Sequence, residues 1–159
     1  MNIFSDRHRE FIELLIAAEV EFILIGGYAV IHYGYKRTTG DMDVWLKPSN
    51  STKEKLLPIL RKLGFDEKGI KTIGTFNFEK HNAFHFWKEP DRIDCITHIS
   101  GVLFDVADKQ KVMTEIEGVK VPFIHYDHLI LSKATTNRLK DKADVEELQR
   151  IKSSEKSKR

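Results

Sequence analysis

Apolar residues recur along this 159-residue chain in two periods, and the two periods lay out its elements. Phe11, Leu14, Leu15 and Ala18 fall on one side of a 3.6-residue spiral behind Ser5, a candidate N-cap, and predict a first helix. Residues 21–25 are apolar and extended, a first strand. Gly26-Gly27 breaks it, and Tyr28 to Tyr33 continues as a short helix ended by Gly34. The run from Asp41 to Leu46 alternates with period two and predicts a second strand, stopped by Pro48. Met42, Val44 and Leu46 share its core face, whereas Asp41, Asp43 and Trp45 share the other.

Further along, Ser51-x-x-Glu54 is a capping box for a helix running to about Leu63, with Gly64 as its stop. Pro58 inside that pattern is expected to kink or split it. Residues 65–78 read as loop and short strand, punctuated by Gly69 and Gly74. Two strand-like runs around Glu89-Pro90 predict a hairpin over 83–97 that pairs Trp87 with Arg92 and His85 with Asp94. A second hairpin is expected at Glu117-Gly118, followed by helices over 126–135 and about 140–151. The fold class is α/β (α+β): a mixed central sheet flanked by helices, with a small C-terminal helical and hairpin extension. Residues 1–100 are expected to form the core domain, 101–151 the hairpin and helices packed on it, and 152–159 a disordered tail.

Composition narrows the class. A charged fraction of 31% and a hydrophobic fraction of 41% are ordinary for a globular domain. The net charge of +2 is small, and the basic end, Lys152 to Arg159, reads as a solvated tail, not a nucleic-acid arm. Cys95 is the single cysteine, which excludes an internal disulfide. His81 and His85 have a helical metal spacing but lie in a strand-like run, which argues against zinc. With no secretory apolar region at the start and no apolar run of about 20 residues, a cytoplasmic protein without a membrane span is expected.

The chemistry concentrates in two places. Asp41 and Asp43 project from one face of a strand, and like charges that close are unfavourable without a cation between them. Hard carboxylate oxygens suit Mg²⁺ or Mn²⁺, and Mg²⁺ is commonly held by one or two carboxylates together with substrate phosphates. Gly26 and Gly27 let the backbone turn sharply and approach a ligand, and the amides opening the following helix favour phosphate. Either motif alone is weak; strand, glycine turn, helix and acidic strand in succession carry the signal.

In this order the residues resemble the DNA polymerase β-like nucleotidyltransferase superfamily. Arg37-x-Thr39-x-Asp41-x-Asp43 is similar to the form in small bacterial members of the abortive-infection and toxin–antitoxin (AbiEii-like) type. Lys133 followed by Arg138-Leu139-Lys140-Asp141-Lys142-Ala143-Asp144 resembles their second block. The resemblance implies a nucleotidyltransferase fold and transfer of a nucleoside monophosphate from an NTP, with ATP expected, to a hydroxyl acceptor. It implies Mg²⁺ (or Mn²⁺) on Asp41, Asp43 and a third carboxylate, for which Asp94 is the candidate. Gly26, Gly27, Arg37, Thr39 and Lys133 would bind the nucleotide. The acceptor could be tRNA or a protein in a toxin–antitoxin pair, with a cognate partner, or a small-molecule antibiotic. The alternative is a non-catalytic nucleotide- or partner-binding module that keeps the fold.

Overall fold

The computed structural model describes residues 3–157. Its elements are α1 (Asp6–Ala17), β1 (Phe22–Ile25), α2 (Gly26–His32), β2 (Asp41–Leu46), α3 (Asn50–Lys62), α4 (Glu67–Gly74), β3 (Ala83–Phe86), β4 (Arg92–Ile96), α5 (Phe104–Gln110), β5 (Val112–Ile116), β6 (Val119–Phe123), α6 (Tyr126–Ala134) and α7 (Leu139–Ser157). The strands form one sheet in the order β3-β4-β2-β1-β6-β5. β2 and β4 are parallel, as are β1 and β6, and the other neighbours are antiparallel. The hairpin β5–β6 therefore belongs to the same sheet as the acidic strand.

Ser5 caps α1 as expected, its side chain accepting from the His8 amide. α1 buries Phe11, Ile12 and Leu15 against the sheet, whose central strands bring Ile23, Leu24, Met42, Val44 and Leu46 to zero exposure. Tyr28 joins this core, its ring edge-on to His8. Trp45 covers the sheet. It is buried, donates Nε1–H to the Thr97 carbonyl at 2.9 Å, and meets Phe104 edge-on.

Four local expectations are corrected. α3 starts at Asn50 behind Ser49, not Ser51, because the Ser49 side chain accepts the Thr52 amide. Pro58 leaves α3 a single helix: its face is exposed, and burial of Leu56, Ile59 and Leu60 holds the turns on both sides. Residues 65–78 hold α4, capped by Asp66, whose carboxylate accepts from the Gly69 amide, so Gly69 sits in a first turn and does not end an element. α7 continues past residue 151 to Ser157, where disorder was expected; Lys158 and Arg159 lie outside the described residues. Helix α5, with Phe104 and Ala107 buried, was not foreseen.

Candidate active site

The parallel pairing of β2 with β4 sets Asp43 level with Asp94, and Asp41 level with Arg92. Level partners on one face point the same way, so the three carboxylates converge. Each offers an oxygen within 4.8 Å of the others. The Asp43 carboxyl is pushed up to about 7, first by burial and then by the charges of Asp41 and Asp94, while Lys133 and the Gly27 amide pull it down. Asp41 is raised as well, by burial and then by its hydrogen bond to Asp94 and that group's charge, against Lys140. Arg92 answers part of the charge: Nε donates to Asp94 Oδ2 at 3.1 Å and Nη2 to Oδ1 at 3.0 Å. The triad fits a hard divalent cation, because all its donors are carboxylate oxygens and, among the described residues, no Lys or Arg makes a salt bridge with Asp41 or Asp43.

The two glycines make room for this arrangement. Gly26 has φ of +66°, and a Cβ there would lie 2.0 Å from Asp43 Oδ2. A Cβ on Gly27 would meet Thr39 Oγ1 at 2.6 Å. The β1–α2 turn is thus bare so that the acidic strand and the loop before it can close over it. Gly26→Ala is expected to displace the Asp43 carboxylate by about an ångström and lower turnover by about 10²-fold. A transfer assay alongside circular dichroism checks this, the far-ultraviolet spectrum staying native while activity falls.

Facing the triad is a cationic wall from α6, the α6–α7 turn and the loop before β2. Lys133 Nζ, its side chain 10% exposed, sits 3.1 Å from Asp141 Oδ1 and 2.9 Å from Asp144 Oδ2. Arg37 Nη2 donates to Asp144 Oδ2 at 3.3 Å, and Arg37 Nε is buried with no hydrogen-bond partner among the described residues. Burial raises the Asp141 carboxyl, but hydrogen bonds from Thr136 and Lys133 and nearby positive charge outweigh that and hold it below its ordinary value. Triad and wall enclose a cavity of about 850 Å³, which Arg92, Arg138 and Lys140 also line.

Asp41, Asp43, Asp94, Gly26, Gly27, Arg37 and Lys133 therefore meet in one cavity. Thr39 does not line it: its hydroxyl donates to the Asp41 carbonyl at 3.1 Å, so it braces the acidic strand from behind. Arg37 pairs with Asp144 of α7. In the Asp141–Asp144 cluster the buried cation is Lys133, while Arg138 is 71% exposed. Arg92, two residues before Asp94 on β4, lies on the same face and forks onto its carboxylate, a functional residue that the period-two spacing of the strand could have found. His98, Ser132 and Thr136 also line the cavity and carry no sequence signal of their own.

A mixed sheet with carboxylates on two parallel neighbours, beneath a glycine turn and opposite a cationic wall, is the arrangement of a nucleotidyltransferase. The chain belongs to the family described as nucleotidyl transferase of unknown function (DUF2204), which matches residues 5–159. Among curated protein sequences none matches it. Its fold is similar to that of the lincosamide antibiotic adenylyltransferase LnuA, solved with lincomycin bound. That structure is 17% identical, with a TM-score of 0.56 over 94% of this chain and 99% of the other. A putative nucleotidyltransferase (TM1012) from Thermotoga maritima is 14% identical, with a TM-score of 0.53 over 94% and 87% of the two chains. Among the described residues, no helix is long and apolar enough to cross a membrane.

Proposed function

We propose that this nucleotidyltransferase moves a nucleoside monophosphate from an NTP, with ATP as the donor, to a hydroxyl acceptor, releasing pyrophosphate. The observation that carries the reading is the convergence of Asp41, Asp43 and Asp94 across one cavity from Arg37 and Lys133. Asp41, Asp43 and Asp94 would hold Mg²⁺ or Mn²⁺, which when bound neutralises phosphate charge and steadies the entering and leaving oxygens. Arg37 and Lys133 line the same space, and their charges draw the triphosphate toward it. Gly26 and Gly27 keep the turn low enough for the triphosphate to lie close to the backbone. Arg92 orients Asp94, and Thr39 fixes the start of β2 through the Asp41 carbonyl.

The acceptor we favour is a small hydroxylated molecule that is not a polycation. A cavity of about 850 Å³ is toward the upper end for small-ligand sites and leaves room beside a nucleotide. LnuA, similar in fold, is by its name an adenylyltransferase of a small molecule. The acidic lining residues are the triad and Asp141, and Asp141 is already neutralised by Lys133.

Calorimetric titration of the four NTPs, with and without Mg²⁺, tests this on the wild type and on Asp41→Ala/Asp43→Ala. Metal-dependent binding by the wild type that the double variant loses is the expected result, and a screen with labelled NTP against small molecules, tRNA and protein then finds the acceptor. Absence of NTP binding by the folded wild type would overturn the proposal and favour a non-catalytic, partner-binding role.

A further inference from the structure

The cavity extends beyond the triad along β3 and β4. Ala83 and Ile96, a cross-strand pair, form a small apolar floor there, with His85 beside Asp94 at one end and His98 at the other. His98 follows Asp94 by four residues, past the end of β4 and a bend at Thr97. His98 therefore lines the same cavity as the triad from the other end of that floor, placed to meet the far end of a nucleotide anchored at the carboxylates.

Its ring is fixed by a neighbour whose hydrogen bonds can be counted. Thr97 is fully buried. Its hydroxyl has one proton and lies 2.8 Å from the Lys80 carbonyl and 3.5 Å from the Asn82 carbonyl, both of which can only accept. The same oxygen accepts the Asn82 amide at 2.8 Å. His98 Nδ1 lies 3.0 Å from that oxygen. With the hydroxyl proton given to Lys80, the remaining arrangement has Nδ1–H donating to Thr97 Oγ1. In the neutral ring Nε2 then carries a lone pair and no proton, and it has no partner among the described residues. The His81 ring, its centroid 6.3 Å from that of His98, adds a flat face beside it.

We propose that His98 reads the nucleobase, accepting a hydrogen bond at Nε2 from an exocyclic amine, so that the site selects amino bases over keto bases. The assignment rests on the nucleotide reading above. Adenine presents an N6 amine donor, whereas a 6-keto purine presents an acceptor that would face the Nε2 lone pair. The discriminating probes are Mg²⁺·ATP and Mg²⁺·ITP, whose base has a carbonyl in place of the amine and a proton on N1.

By titration calorimetry the wild type is expected to bind ATP roughly tenfold or more tightly than ITP, and His98→Ala to bring the two within about twofold. Equal binding of both by the wild type, or discrimination that survives in His98→Ala, would overturn the proposal while leaving the nucleotide site standing. No binding of either would remove both readings together. The tautomer is checked independently of any variant by ¹⁵N-resolved NMR of the wild-type imidazole at a pH where it is neutral. A protonated Nδ1 supports the proposal and a protonated Nε2 refutes it.

Discussion

Asp43→Asn is expected to abolish nucleotidyl transfer and yet make the metal-free protein more stable at pH 8, by on the order of 4 kcal/mol. Burial and the charges of Asp41 and Asp94 push the Asp43 carboxyl up to about 7 in the folded protein, against 3.8 for the free group. Between those values the folded chain keeps a proton that the unfolded chain has released. Stability therefore falls as pH rises through this window, and the full penalty stands above it: about three pH units at about 1.4 kcal/mol each. Asparagine keeps the volume and an acceptor for the Gly27 amide while removing the charge. Thermal melts without divalent cation check this. The variant should melt above the wild type at pH 8, and the gap should close as pH falls from 7 toward 4. Added Mg²⁺ should raise the wild-type melting temperature and leave the variant unmoved, since ligand binding stabilises the folded state. Equal melting temperatures at pH 8 would mean that the three carboxylates do not repel as their placement implies.

That instability is itself legible in the sequence. Asp41-x-Asp43 on an apolar strand announces two carboxylates on one face, and the Glu89-Pro90 turn is enough to predict His85 level with Asp94, the register that the sheet adopts. What one strand cannot announce is its neighbour. The parallel pairing of β2 with β4, which places Asp94 level with Asp43, is a long-range choice made by the whole sheet. Local signals also misled where packing overrode them. Gly69 and Gly74 looked like breaks, but Ile70 buries against the core and Asp66 caps the turn, so α4 forms. Pro58 removes one backbone donor on an exposed face, a loss that the buried residues around it outweigh. The far ends of the site, His98 above all, depend on Lys80, Asn82 and Thr97 meeting across the β3–β4 ladder, a hydrogen-bond count that exists only once the chain is folded.

Lys133→Met should be the most destabilising single change in the cationic wall, by about 3–5 kcal/mol. Its ammonium lies between Asp141 and Asp144, whose side chains are 9% and 3% exposed. Methionine fills much of the same space, so the loss is electrostatic more than steric. What remains for Asp144 is Arg37 at 3.3 Å, and for Asp141 the Thr136 hydroxyl at 2.7 Å and the distant, exposed Arg138. Two buried carboxylates would then share too little positive charge. Lys133 is one of the groups that hold the Asp141 carboxyl below its ordinary value, so stability that this pair contributes at neutral pH is lost in the variant. Adding Asp141→Asn to Lys133→Met should return part of the stability, since the amide oxygen still accepts from Thr136 without a charge to bury. Urea unfolding of the wild type, both single variants and the double variant measures the coupling directly. A loss below about 1 kcal/mol in Lys133→Met would show the carboxylates to be solvated. A loss of the expected size, with Asp141→Asn alone far milder, would mean that Lys133 joins α6 to α7 and, through the Asp144–Arg37 pair, holds the loop before the acidic strand against the same wall. On the proposed reading, nucleotide affinity should fall in both variants that lack Lys133 and should not return with stability in the double variant, because Lys133 itself lines the nucleotide cavity.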